Sequence, residues 1–264
     1  MEAVDPDARS VPRGDRLRSL NLWAGTLHLA QGVAILVLST EFALPVMSFF
    51  LGFEEGRTPA LQPDPQVLFD LRIGPMVAAF LFLSAFAHVV IASPLGYPRY
   101  RADLARGMNR ARWIEYSVSS SVMIVIVAML VGIYDVAALL LIAAVNACMI
   151  LFGWAMEVLN QTTERTNWLS YWFGVFAGAM PWVAIAIYLA GAGGGENGPP
   201  TFVYFIFVSI FLFFNVFAIN MLLQYRKVGP WSDYLYGERA YIVLSLTAKS
   251  LLAWQVFAGT LRPE

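Results

Sequence analysis

The sequence predicts an all-α membrane protein with a bundle of seven transmembrane helices. Of its 264 residues, 59% are hydrophobic and only 13% are charged, whereas a soluble domain carries about 25% charged residues. So few polar side chains cannot cover a water-facing surface, and membrane lipid must therefore be part of the solvent. Seven apolar runs are each long enough to cross a bilayer, which takes about 20 residues per helix.

Segments rich in glycine, proline and charge separate the seven spans. We predict the spans at 21–50, 67–93, 109–133, 136–158, 168–190, 201–225 and 238–261. Residues 1–20 carry charges but no apolar core, so we expect a cytoplasmic segment there and not a cleavable signal peptide. One membrane domain then occupies 21–264, with 51–66 as an extracellular loop long enough to form a small hairpin.

Positive charge is distributed unevenly between the two ends of the predicted bundle. Thirteen arginine and lysine residues fall before the first span or around the connections 2–3, 4–5 and 6–7, and three fall at the other end. Cytoplasmic connections carry the excess of positive charge in membrane proteins. We therefore expect a multi-pass protein of the cell membrane with a cytoplasmic amino terminus and an extracellular carboxyl terminus. G-protein-coupled receptors have the opposite direction, which weighs against that class.

Lys249 lies in the middle of the seventh predicted span. It follows Glu238 by 11 residues and precedes Leu261 by 12, which places it roughly 16–18 Å from each end of the helix. A charged lysine at such a depth costs about 2.5–3.5 kcal/mol on insertion scales. Three interpretations are open: an ion-pair partner or base in a transporter, an amine that forms a Schiff base, or a lysine paired only for helix assembly. Intramembrane charges are usually functional, which favours the first two.

Glu115 in the third span is the best candidate for the counterion of Lys249. Helical side chains lean toward the amino terminus of their own helix, which brings the amine toward the level of this carboxylate. Ser245 precedes Lys249 by four residues and shares its helix face. Arg112 shares the face of Glu115 and either completes a charge network or is a simple positive-inside arginine, and the two interpretations are equally supported.

The only two histidines of the chain, His28 and His88, both fall inside predicted spans. A single buried histidine is usually an ordinary polar core residue. Two of them near the cytoplasmic ends of their helices indicate a polar cavity or a proton-accepting cluster. No metal site is expected, because too few cysteine, histidine and acidic residues accompany them. The one cysteine, Cys148, excludes an intramolecular disulfide.

Two long motifs resemble those of the heliorhodopsin family of retinal proteins. The segment 245–259, SLTAKSLLAWQVFAG, is similar to the helix that carries the retinal lysine of that family. The segment 112–123, RWIEYSVSSSVM, is similar to its counterion helix. The similarity extends over nearly the whole chain after the first 20 residues, and the inverted orientation distinguishes this family from other microbial rhodopsins.

The resemblance implies that the seven helices form a rhodopsin-like bundle. It also implies all-trans retinal bound to Lys249 as a protonated Schiff base, with Glu115 as its counterion. The side chains that it implies around the Schiff base are Ser245, Ser84, Tyr116, Ser120, Asn146 and Arg112. The implied walls of the retinal pocket are Met149, Gly153, Trp182 and Phe214. It further implies a cytoplasm-side cavity around His28 and His88, and a homodimer to which the loop 51–66 contributes.

These features favour a light-sensing photoreceptor that signals, without enzymatic activity. An outward proton pump of this architecture needs a second buried carboxylate to reload the Schiff base. After Glu115 the third span has no acid until Asp135, 20 residues further, and other acids such as Glu157 lie toward helix ends. The short basic loops either bind an unidentified cytoplasmic signalling partner or only follow the orientation rule, which is the favoured interpretation, and we expect no nucleic acid. Two alternatives stay open: a light-gated or light-driven ion conductor of the same fold and, less favoured, a retinal-free transporter that uses the Lys249–Glu115 pair.

Overall fold

Seven long apolar helices make up most of the structure, a computed structural model that describes residues 11–53, 61–193 and 198–262. Within these residues, seven helices are long and apolar enough to cross a membrane, which confirms the predicted seven-span all-α bundle. The long helices are α1 (Val11–Leu38), α2 (Ile73–Ala92), α4 (Arg110–Leu130), α5 (Val136–Leu159), α6 (Leu169–Gly191), α7 (Thr201–Tyr225) and α8 (Tyr234–Val256). A short helix, α3 (Tyr97–Ala105), lies between α2 and α4, and a π-helical turn (Phe257–Leu261) extends α8.

The outer surface of the bundle is apolar. Phe86, Phe176 and Phe205 are each more than half exposed, at 69%, 69% and 66%. A helix that faces water carries mostly polar side chains at such positions. The exposed apolar surface is therefore that of a protein whose long helices face lipid tails.

The helices pack mainly against their neighbours along the chain. Helix α1 packs against α2 and α8, α2 against α4, α4 against α5, and α5 against α6, while α7 packs against α8. Side chains from α2, α4 and α8 fill the centre of the bundle, among them Phe80, Ile124 and Leu252, which have no exposed surface. These three helices also position the candidate site.

The two ends of the bundle differ chemically. One end holds α3, the start of α4 and the start of α8, and we call it the arginine-rich end. The other end, which we call the hairpin end, holds a two-stranded antiparallel sheet of β1 (Ala43–Phe53) and β2 (Leu61–Arg72). The amide of Met47 donates to the carbonyl of Tyr134 at 2.8 Å, so this hydrogen bond ties the sheet to the α4–α5 connection.

The sheet corrects the predicted bounds of the first two spans. The first predicted span, 21–50, is too long, because the helix ends at Leu38 and the chain enters β1. The second, 67–93, begins too early, because β2 continues to Arg72. A short apolar run fits a strand as well as a helix, and the composition of these runs does not distinguish the two. The hairpin is accordingly longer than the predicted loop 51–66, of which residues 54–60 lie outside the described ranges.

Helices also begin earlier than predicted at the arginine-rich end. Helix α1 starts at Val11, inside the segment 1–20 that was expected to precede the membrane, of which residues 1–10 lie outside the described ranges. Helix α8 starts at Tyr234, where the side chain of Asp233 accepts a hydrogen bond from the amide of Leu235. Such an amino-terminal cap satisfies an amide that has no partner within the helix. The extra turn places Glu238 inside the bundle.

The β-hairpin has one apolar and one polar face. Residues paired across an antiparallel sheet point to the same side, and sides alternate along each strand. The register pairs Phe49 with Pro65, Leu51 with Pro63 and Phe53 with Leu61, all on one side. The opposite side carries the pairs Ser48–Gln66, Phe50–Asp64 and Gly52–Gln62. The apolar side is exposed, with Leu51 and Phe53 at 68% and 73%.

Candidate functional site

Lys249 and Glu115 form a buried ion pair at the centre of the bundle. The Nζ atom of Lys249 donates to Glu115 Oε1 at 2.7 Å and to Ser245 Oγ at 3.0 Å. Ser84, from α2, donates its hydroxyl to the same carboxylate oxygen at 2.6 Å. Three helices thus bring together the amine, the predicted counterion and two of the predicted serines. The carboxylate receives two hydrogen bonds, which a buried anion requires.

A second layer of predicted residues lies beside the amine. The centre of the Tyr116 ring is 5.0 Å from Lys249 Nζ, and the Tyr116 hydroxyl donates to the carbonyl of Tyr241 at 2.9 Å. Ser120 lines the same cavity as Lys249, and the amide of Asn146 donates to Ser120 Oγ at 2.8 Å. Asn146 therefore acts on the site through Ser120.

The two histidines stack on each other, with ring centroids 5.7 Å apart and planes 12° apart. The Nδ1 atom of His88 lies 2.8 Å from Asn21 Oδ1. Because the amide nitrogen of Asn21 donates to the carbonyl of Leu17 at 2.8 Å, its oxygen must accept. Nδ1 of His88 therefore carries the proton, and Nε2 is the acceptor nitrogen. Both ring nitrogens of His28 are buried without a hydrogen-bond partner.

Two adjoining cavities extend from Lys249 toward the space between α6 and α7. The smaller, of about 50 Å³, opens onto Lys249, and the larger is about 260 Å³. The lining residues that they share are Tyr116, Met149, Ile150, Phe214 and Phe217. All four predicted pocket walls, Met149, Gly153, Trp182 and Phe214, line the larger cavity. Together the cavities reach the lower end of the range for small-molecule pockets, ~300–1,000 Å³.

Two glycines keep the larger cavity open. A Cβ atom at Gly153 would lie 2.5 Å from the ring of Trp113, and one at Gly178 would lie 2.5 Å from the sulfur of Met149. Aromatic rings form the opposite wall, where Trp182 and Phe214 meet edge to face at 5.4 Å. Two adjoining, mostly apolar cavities, one of them lined by a buried amine, suit an apolar molecule attached to that amine.

Arg112 pairs with carboxylates other than Glu115. Its guanidinium contacts Glu238 and donates through Nη2 to Glu157 Oε1 at 2.5 Å, and all three side chains are at most 4% exposed. We call Arg112, Glu157 and Glu238 the acid cluster. Arg112 thus belongs to a charge network, as one of the two interpretations has it, but its carboxylate partners in the described residues are Glu157 and Glu238 and not Glu115. The partners lie on α5 and α8, and only the tertiary fold brings them to α4.

Sequence reasoning missed several polar residues near the site. Asn21 holds His88, and Ser119 lines the cavity at Lys249. Asn109 joins the two carboxylates of the acid cluster, because its backbone amide donates to Glu157 and its side chain to Glu238. One signal was present: Asn109 precedes Arg112 by three residues, the spacing of a helix amino-terminal cap, and its side chain accepts the Arg112 amide hydrogen at 3.1 Å.

The heliorhodopsin family model matches residues 17–261, nearly the whole chain. The chain is a member of the heliorhodopsin family. The family resemblance of the third and seventh spans is therefore confirmed. Membership in a family of rhodopsins implies a retinal chromophore, and it makes this heliorhodopsin a retinal photoreceptor-type membrane protein. The cavities at Lys249 suit such a chromophore in their combined volume and mostly apolar lining.

Solved structures of other rhodopsins share the fold of this heliorhodopsin. The transmembrane domain and linker region of the Salpingoeca rosetta rhodopsin phosphodiesterase matches with a TM-score of 0.66 and 12% identity, over 97% of this chain and 75% of that one. The light-driven proton pump LR (Mac) of Leptosphaeria maculans matches with a TM-score of 0.60 and 13% identity, over 96% and 97%. At these identities the likeness shows the fold alone. No curated protein matches the sequence.

Proposed function

We propose that this heliorhodopsin is a light sensor that signals instead of pumping ions, with all-trans retinal bound covalently to Lys249 Nζ. Retinal, when bound, supplies light absorption and isomerisation. The chain supplies the control of the proton on Nζ. Glu115 holds that proton as the counterion, and Ser84 and Ser245 fix the positions of the carboxylate and the amine.

Light would change the hydrogen bonds of Nζ. The free amine contacts Glu115 and Ser245 at 2.7 and 3.0 Å. A Schiff-base nitrogen would keep a single N–H, which would donate to Glu115, and hydrogen bonds weaken steeply outside their normal range of ~2.7–3.2 Å. A displacement of Nζ therefore releases its proton toward nearby acceptors. His88 is the acceptor that we propose, because its Nε2 atom has a free lone pair and the ring lies against His28.

The expectation from the sequence that no second buried carboxylate can reload the Schiff base is wrong, because Glu157 and Glu238 are buried. The distribution of buried charge nevertheless supports sensing over transport. Within the described residues, the buried charged and histidine side chains of the bundle lie at the level of Lys249 or toward the arginine-rich end: His28, His88, Asp103, Arg112, Glu115, Glu157, Glu238 and Lys249. Toward the hairpin end the interior is filled by apolar side chains such as Ile124, Val127 and Val256, each at most 1% exposed. A proton that leaves Nζ therefore has partners on one side only and returns from that side.

Illumination is accordingly expected to drive no steady transport. The protein is reconstituted with all-trans retinal in lipid vesicles, and the external pH and the stationary photocurrent are measured under continuous light. We expect neither the external pH nor the photocurrent to change after the first turnover. The proton leaves Nζ toward the arginine-rich end and returns from that end, so it never crosses the apolar half of the bundle. A light-driven proton pump in matched vesicles is the control. A sustained pH change or current would contradict the proposal and favour the ion conductor of the same fold.

The excess of arginine supports a cytoplasmic location for the arginine-rich end. Thirteen of the basic residues fall at that end and three at the other, as expected from the orientation rule. A signalling partner inside the cell would then bind at the end toward which the proton moves. The protonation of groups at that end is the change that such a partner would detect.

The amphipathic hairpin supports a homodimer. Its apolar side exposes Phe49, Leu51, Phe53 and Leu61, which are at least 52% exposed. A contiguous apolar surface on an exposed sheet marks a protein interaction site, and the same surface on a second copy is the simplest partner in a symmetric dimer. The contacts between the two copies would lie at the hairpin end.

Charge on the apolar side of the hairpin is expected to separate the dimer. In the variant Leu51→Arg/Val67→Arg, the two arginines of one molecule would face the same arginines of the second molecule across the two-fold axis. The particle mass in detergent should therefore fall to that of a monomer. The control is Gln66→Arg on the polar side of β2, which should leave the mass unchanged. Static light scattering or native mass spectrometry measures the mass. A double variant that stays dimeric would show that the hairpin is outside the interface.

A further inference from the structure

The acid cluster contains two carboxylates and one cation. Its three side chains are at most 4% exposed, and in the described part of the chain no second cation pairs with either carboxylate. Five tyrosines also act on Arg112 or Glu157 and add no positive charge: Tyr100, Tyr116, Tyr225, Tyr234 and Tyr241. The other ionisable groups that line a cavity with Arg112 are Glu115 and His88. An unpaired buried carboxylate is so costly that such a group normally takes up a proton.

The hydrogen bonds show which carboxylate is better stabilised as an anion. Glu157 accepts four: from Arg112 Nη2 at 2.5 Å, Trp113 Nε1 at 2.6 Å, the amide of Asn109 at 2.9 Å and the hydroxyl of Tyr234 at 3.1 Å. Glu238 accepts one, from the side chain of Asn109 at 2.7 Å, besides its contact with Arg112. Because donors stabilise the charged form, the charge belongs on Glu157 and the proton on Glu238.

A small cavity connects Glu238 to the Lys249 site. Its volume is about 30 Å³, and its lining includes Glu238, Arg112, Glu115 and His88. A water molecule needs a cavity of about 10–15 Å³, together with polar partners. The Nε atom of Arg112 is buried without a hydrogen-bond partner, so it is available to such a water. The cavity thus offers a path for a proton between the acid cluster and the carboxylate that holds Nζ.

We propose that Glu238 is a carboxylic acid in the dark and the internal donor that returns a proton to Lys249 Nζ. In this step the O–H bond of Glu238 breaks and an N–H bond forms on Nζ, with the proton passing through the cavity and past Glu115. Glu238 is left as a carboxylate beside Arg112. It then regains the proton that Nζ first gave to His88, so no proton crosses the membrane. Nothing is oxidised or reduced.

The return step rests on the proposed function, whereas the dark proton on Glu238 does not. Glu238 would set how long Nζ stays without its proton, and therefore how long the light-induced state lasts. The acid cluster would then be a timing device of the sensor, located at the end where we propose that a partner binds.

The dark proton can be measured in the protein without retinal. Solid-state ¹³C NMR of the protein labelled in glutamate and aspartate should show one buried carboxylic-acid carbon that is lost in Glu238→Gln. The matched control is Asp103→Asn, which removes another buried acid at the same end. Asp103 accepts hydrogen bonds from Arg106 and Arg110 and does not line the cavity, so this variant should keep the signal. A carboxylic-acid signal that is absent in the wild type, or unchanged in Glu238→Gln, would overturn the proposal.

The return step can be measured after a light flash on the retinal-loaded protein. In Glu238→Gln, the state in which Nζ lacks its proton should last on the order of 100 times longer, since an internal acid typically contributes 10²–10⁴ to a proton transfer. Asp103→Asn should leave this lifetime unchanged, and Glu238→Asp should shorten it again. Equal lifetimes in Glu238→Gln and the wild type would refute Glu238 as the donor.

Two outcomes separate this inference from the proposed function. If no visible band forms with retinal, the proposed function fails, and the NMR measurement still decides whether Glu238 holds a proton. If Glu238→Gln does not fold, the infrared difference spectrum of the wild type provides the test instead of the measurements on the variant. A carboxylic-acid C=O signal that disappears as Nζ regains its proton supports Glu238 as the donor. A spectrum without this loss refutes that role of Glu238.

Discussion

Lys249→Ala is expected to abolish the visible absorption band that the protein gains with all-trans retinal. Alanine has no amine to attach the chromophore, whereas the cavities next to residue 249 stay open. The loss should be complete, because the described lysines are Lys227 and Lys249, and only Lys249 lines these cavities. The measurement is an absorption spectrum of the purified protein after incubation with retinal, followed by extraction of non-covalently bound retinal.

Glu115→Gln is the matched variant, because it alters the ion pair but keeps the amine. Its band should persist and shift to longer wavelength. Excitation moves positive charge away from Nζ, so a carboxylate 2.7 Å away stabilises the ground state more than the excited state. Removal of the carboxylate charge therefore narrows the energy gap between the two states. A band that survives in Lys249→Ala would refute covalent attachment there. A wild type without any band would favour the retinal-free transporter.

Arg112→Met is expected to destabilise the protein by about 3–5 kcal/mol, the typical cost of removing one partner of a buried ion pair. Methionine fills much of the same space but leaves Glu157 without the cation that it contacts at 2.5 Å. The free energy of unfolding in detergent, followed by circular dichroism during denaturation, measures this cost. The effect should be the largest among single substitutions of arginine at this end.

Two variants test whether the cost comes from the uncompensated carboxylate. Adding Glu157→Gln to Arg112→Met should restore most of the lost stability, because the glutamine carries no charge. Arg110→Met removes an arginine two residues before Arg112 that is 47% exposed and pairs with Asp103, and it should cost at most about 1 kcal/mol. If Arg110→Met and Arg112→Met destabilise equally, the acid cluster is not a stabilising centre.

The sequence was sufficient to place the central ion pair because each residue stands out within one helix. Lys249 is an isolated charge in an apolar run, and Ser245 lies four residues before it, so the helix period brings the two together. Glu115 needed a partner on another helix. The excess of arginine at one end indicated that the third and seventh spans start from the same side of the membrane, which brings Lys249 toward the level of Glu115. These are local patterns, and the structure brings the residues together as predicted.

The acid cluster could not be predicted in the same way. Glu157 and Glu238 lie near helix ends, where a charged residue is normally solvated. They are buried because α8 begins a turn earlier than its apolar run and because Asn109 closes the start of α4 against both. The β-hairpin was predicted too short, within 51–66, for a different reason: the apolar residues of its strands satisfy the composition of a membrane span, and only the pairing of the two strands distinguishes them from a helix.

The apolar filling between Lys249 and the hairpin end has an electrical consequence. Polar groups connect Lys249 to the arginine-rich end, whereas the other half of the bundle is dry, so most of the transmembrane voltage falls across the dry half. A charge that crosses the whole membrane changes its energy by ~2.3 kcal/mol per 100 mV. A proton that moves only between Lys249 and Glu238 crosses a small part of that field. The response to light would therefore be the same in a polarised and a depolarised cell.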